Sequence, residues 1–212
     1  DELPEFQRGI LDSMRQPMEE HQVHIARNNG IVTYPANFML VAAMNPCPCG
    51  YYPDRNKCRC TEVQVQKYMG HVSGPILDRI DLCVELQRLD VMKLQRNRKG
   101  KGEKKENENS AQLRRKVMSA RKIQEKRFEG TKYQFNADIE ASDIERFCRL
   151  GAEEQKFMEE LYNTLQLSAR AYHRILKVAR TIADLAGEEE IKTEHLLEAA
   201  VFRPMQEYWR GM

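Results

Sequence analysis

Nowhere in its 212 residues does this sequence carry a Gly-x-x-x-x-Gly-Lys-Ser/Thr loop, so the usual backbone cradle for nucleotide phosphates is missing from it. It also lacks any apolar run approaching the roughly 20 residues needed to span a bilayer. With 31% charged residues and a mean hydropathy of -0.70, the chain is not a membrane protein. A surplus of one charge is missing as well. The net charge is +2, which leaves any nucleic-acid contact to a local patch. Neither an initiator Met nor a signal peptide is present, and the expected setting is a soluble protein of the cytoplasm whose chain begins in mid-domain. At 24.8 kDa there is enough chain for one or two real cores.

Cysteine is where the chain is richer. Four of its six cysteines form Cys47-Pro48-Cys49 and Cys58-Arg59-Cys60, two Cys-x-Cys pairs eight residues apart on a loop with Gly, Pro and Asn. Two pairs of thiolates close together have the spacing of a tetrahedral structural Zn²⁺ site. Free or redox-labile thiols and disulfides are the other readings, although adjacent Cys-x-Cys pairs suit disulfides poorly. A catalytic zinc is disfavoured because four thiolates leave no open position. Cys83 and Cys148 lie in apolar contexts and read as core residues.

Three further segments carry chemistry. Val41-Ala42-Ala43-Met44-Asn45 has the composition of a buried parallel strand closed by Asn-Pro, which puts a neutral amide at the strand end where open α/β sheets bind ligands. Arg79 follows a Gly74-Pro75 break and a short helical turn. That setting lets it project as a planar cation suited to a phosphate; an ordinary salt bridge is the alternative. Asp1-Glu2-Leu3-Pro4-Glu5-Phe6 reads either as a solvated acidic pair or as the end of a Walker B strand, with Asp1 holding Mg²⁺ and Glu2 polarising water.

Periodicity sets out the rest. Residues 7–20 read as a helix that stops or kinks near Gln16 because of Pro17. Residues 22–27 and 31–34, around Asn28-Asn29-Gly30, read as a hairpin. Thr61 is a candidate N-cap, and residues 82–86 are a short strand candidate. Residues 95–110 contain no apolar side chain and read as a flexible charged linker; the cations Arg96, Arg98, Lys99 and Lys101 there are followed by acidic residues. Helices are expected over 113–128, 142–150, 153–164, 168–185 and 193–202, with Ser142, Ser168 and Thr193 as caps and Gly187 as a stop. Arg170 falls in the first turn of the Ser168 helix, near an anion-attracting N-terminus.

The order of these pieces resembles the magnesium-chelatase-like branch of the AAA+ ATPases, and most closely its ComM/YifB-type subfamily. The resemblance rests on residues 1–6, 11–19, 45–50 and 73–81, and on Leu167-Ser168-Ala169-Arg170. It implies an α/β plus all-α fold: a partial AAA+ core over 1–94, with a truncated parallel sheet and a β-hairpin insertion, then the 95–110 linker and a helical lid over 111–212. By resemblance Asn45 is the sensor 1 residue, Arg79 the arginine finger offered to a neighbouring subunit, and Arg170 the sensor 2 arginine. The hairpin would point toward a ring's pore, where Arg27, Asn28 and Asn29 are candidates for touching nucleic acid. The implied parent is a ring, expected to be a hexamer, that hydrolyses ATP with Mg²⁺ and remodels DNA by helicase or branch-migration action in a competence-related role. A chelatase-like subunit inserting metal into a tetrapyrrole and a non-enzymatic zinc-loop binding module are the alternatives. Without a P-loop, residues 1–212 alone are expected to be inactive.

Overall fold

The computed structural model describes residues 1–28, 30–86 and 108–203. They form two compact units, residues 1–81 and residues 82–203. Asn29, most of the charged linker with its four cations, and residues 204–212 lie outside the described residues.

The first unit opens with a single turn at Leu3–Glu5, followed by α1 (Arg8–Ser13) and α2 (Arg15–Glu20). The expected kink is there but falls at Met14, three residues before Pro17. In an unbroken helix the Pro17 nitrogen would have to donate to the Ser13 carbonyl and cannot; placed in the first turn of a new helix it needs no partner. β1 (Gln22–Arg27) and β2 (Gly30–Pro35) pair antiparallel, from Gln22 opposite Pro35 to Arg27 opposite Gly30. Among the described residues this is the only sheet.

The parallel sheet expected around Val41–Asn45 is therefore a correction. That segment forms no ladder, and Met39 and Val41 are 86% and 79% exposed. A parallel strand needs evenly spaced bonds to its neighbours. Here a bond from the Leu3 N–H to the Ala43 carbonyl, 3.0 Å, is the one backbone–backbone bond that reaches residues 41–45 among the described residues.

α3 (Glu62–Met69) begins at Thr61 as expected. The Thr61 hydroxyl accepts from the Gln64 N–H at 3.2 Å while the Gln64 side chain accepts from the Thr61 N–H at 2.9 Å, a reciprocal capping box. α4 (Gly74–Leu77) follows. Buried side chains of this unit form two clusters, one around Leu3, Leu11, Val72, Ile76 and Leu77, the other around Cys47, Cys58, Val65, Tyr68 and Met69. Met44 packs against both.

The second unit is helical. α5 (Ser110–Arg127) starts three residues earlier than its apolar periodicity implies, because Asn109 and Gln112 make a second capping box. α6 (Ile144–Phe147) is much shorter than the expected 142–150 helix, and Ser142 does not cap it. It instead lies within a tight turn over Ala141–Asp143, and the chain leaves helical geometry at Cys148 so that Leu150 can bridge Ile191. α7 (Ala152–Leu165) and α8 (Ala169–Ala186) match their expected spans closely. Ser168 caps α8 by accepting from the Ala171 N–H at 3.1 Å, and Gly187 ends it with φ of 76°.

α9 (Thr193–Val201) takes Lys192 as its N-cap, so Thr193 is the first helical residue. The Thr193 hydroxyl reaches Glu154 at 3.4 Å instead. The strand expected over 82–86 is absent as well. Leu82, Val84 and Leu86 are more than half exposed, and the Cys83 N–H is bonded to the Phe202 carbonyl at 2.7 Å.

The core of this unit is continuous. Met158, Ile175, Ala179 and Leu196 are completely buried, and Phe128, Tyr133 and Phe147 meet edge to face. Of the expected apolar face of α8, Ile175, Leu176 and Ala179 are buried while Leu185 is exposed. Among the described residues no helix is long and apolar enough to cross a membrane.

Candidate functional site

Asp1 and Glu2 are exposed, at the start of the Leu3–Glu5 turn. Glu2 has left-handed backbone (φ 53°) and its N–H donates to Asp1 Oδ1 at 2.9 Å. Two long-range bonds hold this turn in place. Leu3 donates to Ala43, and His71 Nδ1 donates to the Pro4 carbonyl at 2.7 Å. The first bond brings the acidic end alongside the segment that carries Asn45. The Asn45 amide is itself exposed and lies over Gly50, whose φ of +76° strains any side chain placed there. Burial raises the pKa of the Tyr68 hydroxyl, against which a backbone hydrogen bond from Asn45 works.

Immediately after Asn45 the four expected cysteines converge. Their Sγ atoms all lie within 4.8 Å of one another. Cys47 is 3.3 Å from Cys49 and 3.8 Å from Cys58, and Cys49 is 3.6 Å from Cys58. These separations exceed a disulfide bond of about 2.05 Å, and all six cysteines are free. They fit a different object: Zn–S bonds of about 2.3 Å in a tetrahedron imply S···S edges of about 3.8 Å. The cluster is compatible with zinc in donor type, number and spacing.

The thiols are not equivalent. Backbone N–H groups, that of Tyr51 foremost, pull Cys49 down to about 6. Burial pushes Cys58 up. At Cys60 a backbone bond to Cys49 acts downward, but burial and the neighbouring thiols win and raise it to about 11. Cys148, in the core of the second unit, is raised by burial to about 11.

Arg79 does not project from the surface. It is 7% exposed, with Nη1 donating to the Pro75 carbonyl at 2.6 Å and Nη2 paired with Glu19 at 2.8 Å. Its Nε is buried and unpartnered. The reason is the setting of α4: Ile76 and Leu77 enter the core, and Ser73 at its start donates to Asp12 at 3.0 Å, which ties the start of α4 to α1. Glu19 was not legible as a functional residue. It sits on an amphipathic helix with no local signal, and only the fold brings it to Arg79.

At the hairpin, Arg27 and Asn28 are exposed next to the closing Arg27–Gly30 pair, whereas Asn29 lies outside the described residues. His24 is tied down by Thr33 at 2.8 Å and Glu20 at 3.4 Å. In the second unit Arg170 is exposed in the first turn of α8.

Arg180 makes an intramolecular ion pair: with Arg127 it encloses Asp184, whose side chain is wholly buried, and it also donates to the Glu188 and Glu189 carbonyls at 2.7 Å. Asn136 completes the cage at 2.8 Å. This network ties the ends of α5 and α8 together and is structural.

Two family models match the chain: magnesium chelatase subunit ChlI over residues 1–94, and magnesium chelatase subunit ChlI C-terminal over residues 107–203. Similar proteins include competence protein ComM of Haemophilus influenzae, 46% identical over 97% of this chain, and the uncharacterized YifB of Escherichia coli, 42% identical over 96%. A more distant one is the uncharacterized Rv2897c of Mycobacterium tuberculosis, 32% identical over 96%. The chain spans 38% of the length of the first two of these relatives and 39% of the third.

Proposed function

Because the chain belongs to the magnesium-chelatase-like family of AAA+ ATPases, in its ComM/YifB-type subfamily, we propose that it works within a longer, ring-forming ATPase that remodels DNA. The observation that carries this reading is the Leu3–Ala43 hydrogen bond, which docks the Asp1-Glu2 end beside the Asn45 segment. An ATP-hydrolysing site needs an acid and a water-orienting amide in such proximity. The competence designation of the H. influenzae relative supports DNA as the object of the work.

In this reading Glu2 polarises the attacking water and Asn45 orients it. Asp1 offers an exposed carboxylate, a hard oxygen donor suited to Mg²⁺, and when bound that ion neutralises charge on the phosphates. Arg79 leaves Glu19 to reach the phosphates held by a neighbouring protomer of the ring, which we take to have six subunits. Arg170 is the lid's contact to nucleotide. Cys47, Cys49, Cys58 and Cys60 hold a structural Zn²⁺, which supplies a cross-link for a loop with little core of its own and no chemistry, since four thiolates close the site. Arg27, Asn28 and Asn29 are proposed to face DNA in the pore. A subunit that drives metal insertion is the second reading, favoured by the description of the matching family models.

ATP hydrolysis by the intact protein, measured without DNA, with single-stranded DNA and with branched DNA, tests the proposal. DNA should stimulate turnover. Arg79→Ala should lower it by about 10³-fold or more, the scale of a lost arginine finger, with nucleotide affinity retained. Turnover indifferent to DNA sinks the DNA reading in favour of metal insertion, and wild-type turnover in the variant removes Arg79 from its role.

A further inference from the structure

α5 is the most cationic element of the described residues. Its sequence, SAQLRRKVMSARKIQEKR, carries seven Lys or Arg against one carboxylate, Glu125, in a chain whose overall charge is only +2. Two of the seven are used internally: Arg127 pairs with Asp184, and Lys116 pairs with Glu108. Arg121 stacks over Phe135, 3.8 Å from the ring centroid. Arg114, Arg115, Lys122 and Lys126 are exposed and have no ion-pair partner among the described residues.

Their positions are ordered. At about 100° per residue, Arg115, Lys122 and Lys126 (i, i+7, i+11) fall within about 40° of one another, on the face opposite Ala120 and Gln124, which are buried. Arg114 flanks that row. From Arg114 to Lys126 the cations extend over about 18 Å of helix, a length along which one strand of B-DNA presents about five phosphates. The support is rigid, because Arg127 is locked to Asp184 and Phe128 enters the core.

We infer that this face of α5 is a contact surface for the phosphate backbone of DNA, separate from the hairpin; the inference rests on the DNA-remodelling reading and extends it to the lid. An amphipathic membrane-binding helix has to bury a continuous apolar face in lipid, whereas here the side opposite the cationic row is divided between Ala120 and Gln124, which are buried in the protein, and Leu113 and Val117, which are 49% and 52% exposed. The cationic row itself is a set of point charges and forks, which read a polyanion by charge and carry no base specificity.

The test is binding of duplex and branched DNA by the intact protein between 50 and 200 mM salt, for the wild type and for Arg115→Gln/Lys122→Gln/Lys126→Gln combined. Gln keeps nearly the helix propensity of Lys and Arg, and circular dichroism verifies the fold. Each phosphate contact contributes about 0.9 to the slope of log affinity against log salt, so the triple variant should lose about 2.7 in slope and about 10²-fold in affinity at 0.15 M salt.

An unchanged slope overturns the inference, and so does an equal loss per charge in Arg149→Gln/Lys156→Gln, a control on exposed cations elsewhere in the same unit. Wild-type binding to phosphatidylserine vesicles and not to DNA would also overturn it, assigning the face to a lipid surface. DNA-stimulated hydrolysis with the triple variant binding normally defeats this inference alone. A wild type that neither binds DNA nor responds to it defeats the proposed function as well.

Discussion

In residues 82–203 the buried apolar side chains form one contiguous cluster, to which α8 contributes Ala171, Ile175, Leu176 and Ala179. Residues 1–81 divide their buried side chains between two small clusters that share Met44, and one of the two is built on Cys47 and Cys58. Fully burying an aliphatic side chain stabilises by about 1.5–3 kcal/mol, so the helical unit holds itself together largely through apolar area. The first unit has fewer such residues and leaves Met39 and Val41 in solvent. There the order around Asn45 depends on a few long-range hydrogen bonds and on the thiol cluster. The lesson is that the part nearest the proposed chemistry is the part least able to stabilise itself by burial alone.

Metal removal should break this comparison most sharply. Thiolate zinc sites contribute on the order of 10–16 kcal/mol to the fold that surrounds them. Chelation, or Cys47→Ser with Cys58→Ser, should abolish hydrogen-exchange protection over residues 44–69 and leave α8 protected. Metal analysis of the wild type should find one zinc per chain. Equal protection before and after chelation would mean that the cysteines pack as ordinary core residues.

The converse perturbation is Asp184→Asn. It strips the counter-charge from Arg180, which is 3% exposed, and from Arg127, and should destabilise residues 82–203 by about 3–5 kcal/mol while leaving the first unit intact. Urea denaturation read by exchange at α8 checks this. A loss below about 1 kcal/mol would show that the Asn136 and carbonyl contacts suffice.

The smallest effect is that of acid on the second unit. Burial, helped by Lys177, lowers the pKa of His173 from 6.5, and the Lys192 hydrogen bond lowers that of Glu188 from 4.5. Both folded values lie below the unfolded ones, so both contributions are present above the unfolded pKa and are lost as pH falls through the folded one. Stability should thus begin to decline below about pH 6.5 through His173 and decline again below about 4.5 through Glu188. An NMR titration of His173 with a midpoint above 6.5 would reverse the first sign.

Short-range features of this chain were legible in advance. The Thr61 and Ser168 caps, the Gly187 stop, the hairpin around residue 28 and the convergence of the two Cys-x-Cys pairs each depend on residues within a few positions, or on spacing that chemistry constrains tightly. Errors arose where a short segment's state depends on distant partners. Val41–Asn45 and Leu82–Leu86 have strand composition, but a strand exists only when another chain segment supplies its bonds. Thr193 has the residue type of a cap, yet Lys192 holds that backbone position and the Thr193 hydroxyl is drawn to Glu154.

By itself, then, the sequence determined the helical succession, the hairpin, the four-cysteine cluster and the order of motifs that marks the family, since all of these follow from local propensity and spacing. Only the tertiary structure decided that Arg79 is buried against Glu19, that His71 and Ala43 hold the acidic turn beside Asn45, and that Arg127 and Arg180 enclose Asp184. Apart from Arg180 and Asp184, which are four residues apart on α8, these pairs lie tens of residues apart along the chain. Which charges and donors meet is settled by how the helices pack, because a buried ion or N–H must take the partner that packing brings within reach.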